Sequence, residues 1–89
     1  MRDEVRAFIV ASLKDMNYDV AGVDDAMTLG PAGLDLESLA LADLLMRTED
    51  QYRIKFFAEE SEELALMNVG EFTNAVVARV TQTAGSKQP

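Results

Sequence analysis

Ser38-Leu39-Ala40-Leu41-Ala42-Asp43-Leu44-Leu45-Met46-Arg47-Thr48-Glu49-Asp50-Gln51-Tyr52 is the stretch whose reading decides the fold. Advancing about 100° per residue along it gathers Leu41, Leu44, Leu45, Thr48 and Tyr52 on one side, the stripe expected to face a core. Leu39, Ala42 and Met46 form a second apolar stripe, turned from the first by well over a right angle. Asp43 and Asp50 border that second stripe on one side and Glu49 borders it on the other. A helix in a small bundle does not bury both sides of itself. Either another helix covers Leu39 and Met46 as additional core, or the stripe faces water as a docking surface framed by carboxylates. Met46 suits such a surface, because its unbranched thioether repacks against different partners.

Ser38 opens this helix directly after a glycine-containing loop. One reading is capping, in which a hydroxyl or carboxylate at a helix start accepts a hydrogen bond from a free backbone N–H. Asp35 and Ser38 are both candidates for that role. The other reading is functional. A helix start exposes a hydroxyl and favours an attached phosphate, since its free N–H groups and dipole attract anions. The residue pattern leaves both open.

On either side of this stretch the chain keeps a helical pattern. Val5, Phe8, Ile9, Ser12, Leu13 and Met16 recur at steps of three and four, so the first helix has one buried stripe. Asp3 and Glu4 lie in its first turn, where they complement the dipole, and Asn17 to Gly22 marks its end. Residues 19–37 form a long connection punctuated by Gly22, Gly30, Pro31 and Gly33, with Val23, Met27, Leu29, Leu34 and Leu36 placed to pin it to the bundle. Its Asp spacing is not that of a calcium-binding loop. A short third helix is predicted over roughly Glu59–Leu66. A fourth is predicted over Gly70–Gln82, with Phe72, Val76, Val77 and Val80 at core spacing. The expected fold is therefore all-α, a four-helix bundle of three longer helices and one short one, with a long loop between the first two. Residues 1–82 form one domain, and Thr83–Pro89 reads as a polar tail.

Composition narrows the function. At 89 residues the core is small, since only about 60% of the unfolded surface is buried at this size. The chain has no Cys and no His, so it cannot assemble a thiolate zinc site or a Ser-His or Cys-His catalytic group. A net charge of −8 opposes nucleic-acid binding. Residues 35–63 hold nine acids (Asp35, Glu37, Asp43, Glu49, Asp50, Glu59, Glu60, Glu62, Glu63) against Arg47, Arg53 and Lys55. The field is thus concentrated in the middle of the chain, a pattern that an ordinary solvated surface also produces. No segment approaches the roughly 20 apolar residues that span a bilayer. Asp3 and Glu4 behind Met1 do not resemble a signal peptide, and a cytoplasmic address is expected.

The run Leu29-Gly30-Pro31-Ala32-Gly33-Leu34-Asp35-Leu36-Glu37-Ser38-Leu39 closely resembles the modification site of acyl carrier proteins, where an Asp-Ser-Leu motif follows a Leu-Gly-rich loop and opens the second helix. The likeness continues through Leu44-Leu45-Met46 to Tyr52-Arg53-Ile54-Lys55-Phe56. Glu59-Glu60 is similar to the acidic start of the family's third helix. Met67-Asn68-Val69-Gly70-Glu71-Phe72 is similar to the Thr-Val-Gly-Asp pattern that opens its fourth. The resemblance covers nearly the whole chain in the family's order.

It implies that Ser38 is esterified by 4′-phosphopantetheine, donated from coenzyme A by a phosphopantetheinyl transferase, and that acyl groups ride on the arm as thioesters. It implies a non-catalytic, monomeric carrier with no metal. Its partners would be an acyltransferase, a ketosynthase or other acyl-processing enzymes with basic docking patches. Glu37, Leu39, Asp43, Met46, Glu49 and Asp50 match positions that partners read in the family, and Ala42 joins them through the second stripe. The sequence departs from the family in four places. Glu37 stands where Asp is usual, Arg47 is positive where neutral or acidic residues are common, Phe57 replaces a frequent Pro, and about two residues are added near Leu64–Met67. These departures point to a specialised carrier of a polyketide or related secondary pathway. An acidic interaction module without a prosthetic group, and a small enzyme using Asp or Glu, are the competing readings.

Overall fold

The structure, a computed structural model, describes residues 1–86. Four α-helices follow one another, α1 (Arg2–Asp15), α2 (Ser38–Tyr52), α3 (Ser61–Ala65) and α4 (Val69–Ser86), and a 3₁₀ turn at Ala58–Glu60 leads into α3. Among the described residues there is no strand, only one isolated antiparallel bridge between Thr28 and Asn68. The all-α bundle expected from the pattern is what forms.

Asp3 and Glu4 at the start of α1 and Lys14 in its last turn match the helix dipole. Val5, Ile9, Ser12 and Leu13 are its buried stripe. The helix stops at Asn17, which takes a left-handed conformation (φ 71°). The Tyr18 N–H donates to the Leu13 carbonyl and the Asn17 N–H to that of Lys14, the pattern of a Schellman cap. Asn accepts this conformation more readily than most residues.

The long connection is tied to the bundle from several sides. Asp19 and Asp24 accept from the N–H groups of Ala21 and Ala26, two residues on in each case, closing local turns. The Leu29 N–H donates to the Met67 carbonyl, and the Val69 and Gly70 N–H groups donate to the carbonyls of Met27 and Asp25. Leu29 and Leu34 are buried in the core, with Val23, Met27 and Leu36 packed against it. Between them the backbone folds on itself. The Leu34 N–H bonds to the Thr28 carbonyl and the Leu36 N–H to that of Leu29. Gly33 makes this possible, since a Cβ there would come within 2.2 Å of the Thr28 carbonyl oxygen.

Leu41, Leu44 and Thr48 of α2 are buried, and the Thr48 hydroxyl donates to the Leu44 carbonyl, so no polar atom there is left unpaired. Phe56 stacks on Phe72 at the base of the core, and Phe8 meets Tyr52 edge to face across α1 and α2. Two predicted boundaries shift. The third helix divides into the 3₁₀ turn and a five-residue α3, and Leu66 already lies beyond it. The fourth begins at Val69 and runs to Ser86, so Thr83–Ser86 continue the helix in place of the predicted tail. Once a helix is nucleated each added residue costs little, which explains the extension. Residues 87–89 of that predicted tail lie outside the described residues.

Candidate functional site

Ser38 is the first residue of α2 and is exposed. The helix is entered through Glu37, whose backbone is extended (φ −78°, ψ 168°), and no side chain caps the free N–H groups. Capping by Asp35 or Ser38 is thereby overturned. Asp35 is itself turned away from helical geometry, with φ at 57°. Nor does any acidic residue lie in the first turn of α2. The hydroxyl thus stands at a helix start whose backbone N–H groups no side chain caps, which can receive an attached phosphate.

From Ser38 the second stripe runs down α2 in open view. Leu39 is 84% exposed and Met46 61% exposed, and Ala42 between them is exposed as well. The alternative, that another helix covers these residues, does not hold. On one side of the ridge lies a cleft of about 280 Å³ between α2 and α3, lined by Ser38, Leu41, Ala42, Leu45, Ser61, Glu62 and Ala65. Its walls are mainly apolar, and Ser38 and Glu62 stand among them. On the other side a hollow of about 340 Å³ between α1 and α2 is lined by Phe8, Ser12, Asp15, Arg47, Asp50 and Gln51. Although larger, it does not include Ser38.

The acids that the resemblance assigns to partner contact differ from one another. Glu37 and Asp50 are exposed. Asp43 is half-buried, and its carboxylate accepts a 3.0 Å bond from Arg47 Nε one turn on. The Glu49 carboxylate accepts from the Phe56 N–H at 2.8 Å, and its backbone carbonyl accepts from the N–H groups of Arg53 and Ile54. Glu49 therefore organises the exit from α2.

Several neighbours of the site were not among the site residues predicted from the sequence. Glu62 and Ser61 line the cleft. Leu66 is 83% exposed, and Phe57 is exposed before α3. Helical spacing would have found Leu66, because it lies two residues, about 200°, from buried Leu64. Arg79 reaches over from α4 to pair with Glu60, donate to the Lys55 carbonyl and sit 4.7 Å above the Phe56 ring, which holds the 3₁₀ turn in place. Nothing in its sequence position signals that reach. Among the described residues no His, Cys, Asp and Glu cluster has a metal-binding arrangement, and no helix is long and apolar enough to cross a membrane. Compared with family models, curated proteins and solved structures, the chain matches none.

Proposed function

We propose that the chain is an acyl carrier, with Ser38 as the attachment point of a 4′-phosphopantetheine arm. The observation that carries this reading is an exposed serine hydroxyl on the uncapped first residue of α2, followed immediately by an exposed apolar ridge. The site's residues fit the group. The free N–H groups of α2 favour a phosphodiester at Ser38. The apolar wall of Leu41, Ala42, Leu45 and Ala65 offers an adjacent surface to an arm or a short acyl chain. When bound, the arm supplies the thiol that a chain without Cys lacks.

The protein's own part is presentation. α2 holds Ser38 at the rim of the bundle, so a tethered group is offered to each enzyme at a high effective concentration. Leu39, Ala42 and Met46 give a partner apolar contact, and the exposed carboxylates of Glu37 and Asp50 draw basic surfaces toward it. The chain performs no catalysis in this reading. The departures at Glu37, Arg47 and Phe57 favour a dedicated carrier of a polyketide or related pathway over one shared by many enzymes.

The test is loading. Incubation with coenzyme A and a broad-specificity phosphopantetheinyl transferase is expected to add one phosphopantetheine to the intact mass, and Ser38→Ala is expected to add none. Addition to the Ala variant overturns the site. A second reading draws on the same exposed ridge, which by itself needs no arm: an unmodified acidic interaction module. It predicts that the chain stays at its unmodified mass under the same conditions.

A further inference from the structure

Acidic residues surround the ridge on α2, but their charges are not equally available. Asp43 lies 3.0 Å from Arg47 Nε, and Asp15 of α1 lies 3.9 Å from the same guanidinium. Opposite charges at that distance act as a short dipole, whose field fades faster than that of a lone carboxylate. Beyond a screening length of about 8–10 Å little of it remains. Glu49, on the other flank, is committed to the Phe56 N–H, and exposed Arg53 and Lys55 follow just beyond it. At the Ser38 end the position is reversed. Asp35, Glu37 and Glu62 are exposed and have no ion-pair partner among the described residues. The negative face of α2 is therefore uneven along the helix, open at the serine and again at Asp50, and masked between them at Asp43.

We propose that Arg47 is a partner-selecting residue. By holding Asp43 it withholds that carboxylate from partners whose cations lie along the middle of α2. It favours partners with Lys and Arg gathered around the opening that receives Ser38 and with a neutral surface facing Arg47. A broad-specificity transferase, which must load carriers that are neutral or acidic at the Arg47 position, belongs to the first class and loses the Asp43 contact. This inference rests on the carrier reading and names the electrostatic shape of the enzyme that reads it. Apolar contact at Leu39 and Met46 is common to both partner classes, so discrimination falls to the charges, where wrong juxtapositions are rejected.

The experiment is a double-mutant cycle on Arg47 and Asp43, read as the KM of the full chain for loading from coenzyme A by a broad-specificity transferase. Arg47→Ala is expected to lower KM at least threefold and to steepen its dependence on salt, because Asp43 is released to the partner. Asp43→Asn is then expected to raise KM several times more in the Arg47→Ala background than in the wild-type background. Lys55→Ala removes the same charge from an exposed site away from Asp43 and is not expected to reproduce the gain. Equal effects of Asp43→Asn in the two backgrounds, or an equal gain from Lys55→Ala, would overturn the proposal and reduce Arg47 to net charge. Those outcomes leave loading intact and spare the carrier reading, whereas failure of the wild-type chain to load removes both. Circular dichroism of each variant checks that the helices are retained.

Discussion

Arg53 ends α2 in a left-handed conformation at φ 55°, where its Cβ crowds the following carbonyl. Its side chain is exposed and has no hydrogen bond among the described residues, so little offsets that crowding. Arg53→Gly is expected to raise unfolding stability by about 1 kcal/mol in denaturant titration, the cost of left-handed geometry being largely removed. Gly33 gives the opposite case. Gly33→Ala would drive a methyl group against the Thr28 backbone, and a loss of roughly 1–3 kcal/mol is expected in the same titration. At the start of α4, Asn68 Oδ1 accepts from the Glu71 N–H and Glu71 Oε1 accepts from the Asn68 N–H, a reciprocal capping box. Its Asn-x-x-Glu spacing is readable in the sequence and places the helix start at Val69, one residue before the Gly70 inferred from apolar spacing. The Arg53 conformation was not readable, since nothing about an exposed Arg demands φ above zero.

Among the elements, α2 was legible end to end because its two stripes obey one period over fifteen residues. The segment around α3 was not. Five residues are too few to carry a periodic signal, and what places the segment lies far along the chain. Glu60 accepts from the Phe57 N–H and pairs with Arg79, nineteen positions away. The same interactions make this corner sensitive to acid. The Phe57 N–H, with Arg79 beside it, holds the Glu60 carboxyl below its ordinary value of 4.5. Across the bundle, the side chains of Arg6 and Arg2 hold Asp25 below 3.8. A carboxyl whose folded pKa is lowered contributes stability that is complete well above its unfolded pKa, here above about pH 5, and is lost as pH falls through the folded value. Thermal melts are therefore expected to show stability declining as pH falls from about 5 toward 3. Glu60→Gln should be less stable than the wild type at pH 7 and should flatten that decline. An unchanged acid limb in Glu60→Gln would count against this role for the pair.

For the whole molecule, the division between core and ridge is the central structural fact. Leu44 is fully buried and Leu39 is 84% exposed, although they lie five residues apart on one helix. Leu44→Ala is expected to cost about 2–5 kcal/mol. Leu39→Ser should stay within about 0.5 kcal/mol of the wild type while weakening partner engagement. Comparable losses of stability from the two would mean that Leu39 is packed. The sequence assigned the Leu44 stripe to the core but left open whether another helix covers the Leu39 stripe. That depends on α1 and α4 taking the Leu44 side, with Phe72 and Val76 of α4 filling the core. The pairing of Asp43 with Arg47 has the four-residue spacing that a helix makes readable, whereas the commitment of Glu49 was hidden, since it follows from the Phe56 N–H returning toward it.

The carrier reading is tested most directly by fragment mass analysis of the protein isolated from its own host and again after incubation with coenzyme A and a transferase. The account predicts a phosphopantetheine on the peptide containing Ser38, in at least a fraction of molecules before incubation and in nearly all of them after it. An unmodified Ser38 peptide in both samples, or the group on Ser12 or Ser61 instead, would contradict it.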